Sequence, residues 1–179
     1  MQIDKSKKKI ENHLNSLTKE ELINLVLKFA PQSFLDTIYM QFASQDEAEI
    51  LFKRVAKDIR SMFSDEELLY TPSKFEDELL EQLEKLRGLW DKLPLEIGDL
   101  ILKLMRDIEE AFEEGYLYLD HYDREDDYFE SEIVNDYIFD FFSSLPENIK
   151  PSYIKDLNKI LKNFGFSTFH SIEKRLSSS

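Results

Sequence analysis

The chain has 179 residues, of which 42% are hydrophobic and 13% aromatic, and its formal net charge is −14. Its length favours a single domain that is large enough to bury a core of its own. Cysteine is absent, which excludes disulfides, thiol catalysis, thiolate zinc sites and iron–sulfur clusters. No stretch approaches the ~20 apolar residues that span a bilayer, and the lysines near the N-terminus precede no apolar run. We therefore expect a cytoplasmic protein without a signal peptide or a membrane-spanning segment.

The negative charge is concentrated in the middle of the chain. Residues 61–148 hold 26 acidic and 7 basic residues, whereas residues 1–60 hold 9 acidic and 10 basic ones. Residues 149–179 hold 2 acidic and 6 basic residues. A field of this sign repels nucleic-acid backbones and anionic membranes, so we expect direct binding to neither. A solvated acidic face that aids solubility is the simplest interpretation of the excess.

The sequence is dominated by helical patterns, since it has four glycines, five prolines and no strand-like alternation of polar and apolar residues. Apolar spacing predicts a first helix over about residues 4–16. A capping box, Thr18-x-x-Glu21, opens a second helix that Pro31 ends. The apolar run of this second helix is nearly continuous, which predicts burial on more than one side. Apolar residues at helical spacing over 34–42 predict a short third helix.

Two further capping boxes follow along the chain. Ser44-x-x-Glu47 predicts a helix that runs to about Phe63, and Ser73-x-x-Glu76 predicts the start of another. The segment "SDEELLY" between them is expected to form one helical turn. The helix after the last box carries apolar residues at alternating steps of four and three, as in a short coiled-coil seam. These residues are Phe75, Leu79, Leu83, Leu86, Trp90 and Leu93.

The clearest helix follows Pro94. Its apolar residues from Ile97 to Phe112 recur at i, i+3 and i+4 for four turns, and Gly115 is the expected C-terminal cap. Three more helices are predicted, from Ile133 to Leu145, from Pro151 to Gly165, and after Ser167.

These elements predict an all-α fold of about eight or nine antiparallel helices, because helices with short connections pack against their neighbours. We expect one domain over residues 1–179, with residues 1–3 and 177–179 frayed. Either a bundle or a short solenoid of helical hairpins satisfies the pattern. The absence of a repeat of fixed period favours the bundle.

Most motifs that carry chemistry are missing from the sequence. It has no glycine-rich phosphate loop, no G-x-S-x-G elbow and no H-E-x-x-H zinc motif. His13, His121 and His170 are far apart, and none follows a glutamate by three residues as in di-iron bundles. We therefore predict no catalytic residue, no metal ligand and no cofactor.

Residues 115–129, "GYLYLDHYDREDDYF", combine five carboxylates with four tyrosines. A calcium-binding EF-hand loop needs glycine at position six and glutamate at position twelve. A loop that started at Asp123 would place Tyr128 and Val134 there, so we exclude this motif. A weaker site for a hard cation stays open, because clustered carboxylates attract such ions. Asp123 is also expected to cap the helix that follows.

Aromatic residues are concentrated around this stretch, with 10 of the chain's 23 between Phe112 and Phe142. The favoured interpretation is a local core where two long helices meet, with tyrosine hydroxyls that reach water. The other is an acidic, tyrosine-rich surface that docks a basic protein partner. Glu109 and its acidic neighbours oppose the dipole at a helix C-terminus, which sometimes marks function. The candidate contact residues are Glu110, Glu113, Glu114, Tyr116, Tyr118, Asp120, Tyr122, Asp123, Glu125, Asp126, Asp127 and Tyr128.

Two segments carry a resemblance to a known family. The segment "LTKEELINLVLKFAPQSFLDTIYMQF" resembles the L-[ST]-x-E-E-L helical hairpin of bacterial proteins that carry SWIM-type zinc fingers. The run "LILKLMRDIEEAFEEGYLYLDHYDREDDYF" is similar in layout to their helical region, where an acidic loop separates two long helices. The resemblance covers about residues 17–160 and implies a helical accessory or interaction domain. Because this chain has no cysteine, it lacks the zinc finger, and no functional residue carries over.

The sequence as a whole predicts a non-enzymatic protein-interaction or scaffolding module. Its contact surface is expected to be the acidic, tyrosine-rich segment, and its partner a protein, for which the acidic charge favours a basic one. Two alternatives stay open. One is an acidic inhibitor that mimics nucleic acid and occupies a basic groove, and the other is a metal-dependent enzyme built on the carboxylate cluster.

Overall fold

The computed structural model describes residues 2–31, 34–35, 38–39, 42–117, 129, 131–163, 169, 171–172 and 175. In these residues the chain forms eight helices and no strand, which confirms the all-α bundle. The helices are α1 (Gln2–Ser16), α2 (Lys19–Phe29), α3 (Gln45–Met62), α4 (Glu66–Leu69), α5 (Pro72–Arg87), α6 (Pro94–Glu113), α7 (Ser131–Ser144) and α8 (Lys150–Asn163). None of them is long and apolar enough to cross a membrane.

The described residues of the predicted third and last helices are also helical. Phe34, Leu35, Ile38, Tyr39 and Phe42 follow α2, and Ser171, Ile172 and Arg175 follow α8.

The core is formed by the helices from α3 onward. Helix α3 and the short α4 pack against α5, which in turn packs against α7, while α6 and α7 both pack against α8. Large side chains that are fully removed from water fill the centre. They include Phe75, Leu79, Leu83, Ile97, Phe129, Phe141 and Phe142.

Two of the predicted capping boxes are present. Thr18 Oγ1 accepts a hydrogen bond from the Glu21 amide at 3.2 Å, and the Thr18 amide donates to the Glu21 carboxylate at 2.8 Å. Ser44 and Glu47 form the same reciprocal pair at 3.3 and 2.8 Å. The hydrogen bond from the Ser44 amide lowers the pKa of the Glu47 carboxyl. Each box satisfies two amides of a first helical turn that lack partners within the helix.

The third predicted box, Ser73-x-x-Glu76, is wrong. Helix α5 begins at Pro72, one residue earlier, and Thr71 at its N-cap forms no capping hydrogen bond through its side chain. Proline suits the first position of a helix because its ring fixes φ and it needs no partner for an N–H group. Glu76 therefore lies inside the helix, and it is buried.

Helix α5 is also shorter than the apolar spacing suggested. It ends at Arg87, and Gly88 occupies its C-cap. Leu89 and Leu93 lie beyond the helix end but are still buried, because a run of turns brings them back onto the core. The apolar spacing therefore predicted the buried residues correctly over a segment that is not helical throughout.

Helices α6 and α8 approach closely at Gly98. A Cβ atom placed on Gly98 would lie 2.5 Å from Cε1 of the Tyr153 ring. That ring is held in place, because its hydroxyl donates to the Leu95 carbonyl oxygen at 2.8 Å and lies 3.1 Å from Asp99 Oδ1. Burial raises the pKa of the Tyr153 phenol well above its ordinary value.

We expect Gly98→Ala to lower the free energy of unfolding by about 1–2 kcal/mol, measured by urea denaturation. The added methyl group overpacks the contact with Tyr153, which outweighs the better helix propensity of alanine. In a Tyr153→Leu background the ring is absent, so the same substitution should stabilise the protein. Equal effects of Gly98→Ala in the two backgrounds would contradict the contact as described.

Candidate functional site

An acidic groove lies where the start of α4 meets the end of α6. Its volume is about 290 Å³. Its lining residues are Phe63, Ser64, Glu66, Leu69, Asp107, Glu110, Ala111, Glu114 and Tyr116. The groove therefore combines four carboxylates with two aromatic rings and an apolar floor.

Helix α4, which forms one side of the groove, is held by its cap and by packing against the core. The Asp65 carboxylate caps the helix by accepting from the Leu68 amide at 3.1 Å. Leu68 and Leu69 are both buried, which holds this one-turn helix on the core. Phe63, in the turn before it, packs edge-on against the buried Phe75 with ring centroids 5.2 Å apart. Glu66 consequently projects from a short helix whose opposite side is buried in the core.

The α6 side of the groove depends on how that helix ends. Gly115 has φ of +79°, the left-handed conformation that glycine adopts without a steric penalty. The Tyr116 amide donates to the Ala111 carbonyl at 2.9 Å and the Gly115 amide to that of Phe112 at 3.1 Å. This pair of hydrogen bonds is a Schellman cap, as predicted for Gly115. It turns Tyr116 toward α4, where its ring packs edge-on against Tyr70, with centroids 5.5 Å apart.

Within the described part of the chain, much of the charge in the groove is uncompensated. Asp107 forms an ion pair with Lys103 at 2.7 Å. Among the residues that the structure describes, Glu66, Glu110 and Glu114 form no ion pair, and all three are exposed. Three carboxylates around a partly apolar depression favour a cationic group, and the Phe63 and Tyr116 rings add surfaces on which such a group stacks.

The structure places some of the sequence-predicted contact residues in this groove. Glu110, Glu114 and Tyr116 line it, whereas Glu113 is exposed but lies outside its lining. The remaining predicted contacts lie outside the described residues. They are Tyr118, Asp120, Tyr122, Asp123, Glu125, Asp126, Asp127 and Tyr128. The predicted cap at Asp123 lies outside them as well.

Glu109 does not belong to the acidic surface that the sequence suggested. Its side chain is 2% exposed, because it follows Met105 by four residues and therefore shares the core-facing side of α6. The sequence also failed to identify Glu66, Asp107 and Phe63 as groove residues. The acidic turn "SDEELLY" was the available signal for Glu66, but nothing in it predicts proximity to α6.

The aromatic residues that the structure describes between Phe112 and Phe142 form core more than surface. Phe129, Phe141 and Phe142 are buried, and so is Tyr137. The Tyr137 hydroxyl does not reach water, since it donates to the Leu83 carbonyl at 2.6 Å and accepts from Trp90 Nε1 at 3.0 Å. Burial raises the pKa of this phenol well above its ordinary value.

A second depression has the opposite charge. It follows α8, has a volume of about 800 Å³, and is bordered by four lysines, namely Lys150, Lys155, Lys159 and Lys162. Pro151 and Ile154 provide apolar surface between them. Two of the lysines have neighbouring carboxylates, because Lys150 lies 3.9 Å from Glu147 and Lys159 lies 2.7 Å from Asp156. The described surface is therefore divided between an acidic and a basic region.

In the part of the chain that the structure describes, no group of three or more histidine, aspartate or glutamate side chains is placed to hold a metal ion. The carboxylates from Asp120 to Asp127, where a weak cation site stayed open as an alternative, lie outside that part.

The charges at the end of α6 make a direct prediction about stability. Replacing Glu113 and Glu114 by glutamine should raise the free energy of unfolding by roughly 0.5 kcal/mol, because both carboxylates oppose the helix dipole and repel their neighbours. Glu96→Gln is the matched control, since Glu96 lies in the first turn, where the dipole favours a carboxylate, and its removal should destabilise. Denaturation at low and high salt measures both effects. If both variants changed the free energy of unfolding in the same direction, and salt did not alter the change, this electrostatic account would be contradicted.

No protein-family model matches this chain, and no curated protein or solved structure matches it.

Proposed function

We propose that this protein is a non-enzymatic interaction module that docks a basic segment of a partner protein in the acidic groove between α4 and α6. The observation that supports this most strongly is the convergence of Glu66 with Glu110 and Glu114 around an aromatic-walled depression. A lysine or arginine side chain suits both the negative charge and the aromatic rings of the groove. Its charge meets three carboxylates, and its stem or guanidinium plane packs on the Phe63 and Tyr116 rings.

The division of surface charge favours a docking module over a nucleic-acid mimic. A mimic needs a continuous negative face with carboxylates spaced like phosphates, whereas the lysines of α8 give the described surface a basic region. The metal-dependent enzyme depends on residues 120–127, which lie outside the described residues, and it stays the third alternative. We also predict that the protein is cytoplasmic and that it is similar to the helical region of SWIM-type proteins.

We expect a fluorescent lysine- and arginine-rich peptide to bind the protein, with an affinity that falls as salt is added. Replacing Glu66, Glu110 and Glu114 together by glutamine should weaken binding by about tenfold or more, since each charge pair contributes up to about 1 kcal/mol. Fluorescence anisotropy titration measures both dissociation constants.

The matched control neutralises three exposed carboxylates that lie away from the groove, namely Asp77, Asp91 and Glu96. This variant has the same net charge as the groove variant, so it separates a local site from attraction by the whole protein. It should bind the peptide almost as the unmodified chain does. Equal weakening in the two variants, or no binding by the unmodified chain, would refute the proposal.

A further inference from the structure

The first 42 residues expose apolar side chains at a density found nowhere else in the described part of the chain. We call α1, α2 and residues 34, 35, 38, 39 and 42 the N-terminal arm. Eight of the twelve exposed large apolar side chains lie in it, with exposed fractions between 38% and 80%. They are Ile10, Ile23, Leu25, Leu27, Phe29, Phe34, Tyr39 and Phe42.

The arm contributes nothing to the described core. Helix α2 has no buried residue, and the first buried apolar residue in the described part of the chain is Ala43, just beyond the arm. Polar bonds hold this junction, because the Tyr39 hydroxyl donates to Glu47 Oε1 at 3.1 Å and Lys92 Nζ to the Ala43 carbonyl at 2.6 Å. The arm is thus bonded to the rest of the protein through polar groups, whereas its exposed apolar side chains do not pack into the core.

Helix α2 lacks cover on two sides. At 100° per residue, Leu22 and Val26 lie on the middle of its apolar arc, where they are half-buried. Leu25 projects toward one flank and Ile23 and Leu27 toward the other, and these three side chains are exposed. A helix that is apolar over so wide an arc is normally buried between neighbours. The sequence predicted burial on more than one side, and the described residues of this chain do not provide it.

The exposed area is close to what one partner contributes to a stable interface. The four aromatic residues of the arm alone expose about 400–600 Å², taking 150–250 Å² for each full side chain. The four aliphatic residues add to this, whereas a standard interface takes about 800 Å² from each partner. So much exposed apolar area on one part of a folded protein is typical of an interaction surface.

The charge of the arm suits a second copy of the same chain. Residues 1–44 hold six lysines and five carboxylates, whereas the rest of the chain carries a net charge of −15. The arm can therefore meet the arm of a second copy without the repulsion that the acidic middle of the chain would produce. Lysines such as Lys8 and Lys9 lie near the start of the arm, and Asp46 and Glu47 lie just past its end. A surface with both signs is self-complementary when two copies meet about a two-fold axis.

We propose that the N-terminal arm is a homodimerisation element and that the arm of a second copy covers the apolar residues of α2. In a two-fold dimer each α2 contacts the partner arm, so both exposed flanks are buried at once. The inference is independent of the acidic groove, which lies on α4 and α6. A dimer would present two such grooves, and a partner with two basic segments would then bind with higher avidity.

Sedimentation equilibrium of the full chain over a range of concentrations tests the proposal. The unmodified chain should reach twice its 21.3 kDa mass. Leu27→Glu with Phe29→Glu should weaken dimerisation by about a hundredfold or more, because two charges would enter a buried apolar contact in each copy. The control variant, Leu95→Glu with Ile133→Glu, places the same charges on exposed apolar residues outside the arm and should still dimerise. Circular dichroism verifies that both variants fold.

A cross-linking measurement keeps the test decisive if the charged variants fail to fold. Because the chain has no cysteine, single Ile23→Cys, Leu27→Cys and Phe29→Cys substitutions each introduce its only thiol. A two-fold contact through α2 brings some of its residues close to their own copies, so at least one of these variants should form a disulfide-linked dimer under mild oxidation far faster than Leu95→Cys does. A monomeric unmodified chain overturns the proposal, even if its arm then binds lipid vesicles or another protein. Cross-linking of all three α2 variants no faster than that of Leu95→Cys overturns it as well.

Discussion

Ten of the twenty residues of α6 are buried, and the close contact of Gly98 with the Tyr153 ring determines how α6 lies against α8. Because the ring fills the space that a Cβ would occupy, the two backbones approach more closely than larger residues allow. The hydroxyl of Tyr153 then bonds to the first turn of α6 through the Leu95 carbonyl. This contact lies in the second turn of α6, and the helix runs on to its other end at Glu113.

The acidic groove forms at that other end, where Gly115 stops the helix and Tyr116 packs against Tyr70. Carboxylates there oppose the helix dipole, so they destabilise the helix slightly. The buried face of α6 provides enough apolar contact to tolerate this loss. Residues that destabilise a well-packed protein locally are typical of functional surfaces. The proposed docking site therefore lies in the groove and not in the core.

Short-range chemistry made most of the fold predictable from the sequence. The capping boxes at Thr18 and Ser44 and the left-handed cap at Gly115 depend on residues within one helical turn, and all three are present. The box at Ser73 failed because Pro72 competes for the same helix start.

The groove was only half predictable, because it requires a long-range contact. Glu110 and Glu114 stood out as like charges at a helix end, and that signal is local. Glu66 joins them only because Leu68 and Leu69 anchor α4 on the core, and no spacing rule relates residues 66 and 110.

Docking in the acidic groove is tested most directly by hydrogen exchange of the full chain with and without a saturating basic peptide. Amides of residues 63–69 and 107–116 should become more protected when the peptide binds. Protection confined to α8, or no change at saturation, would contradict docking in the acidic groove.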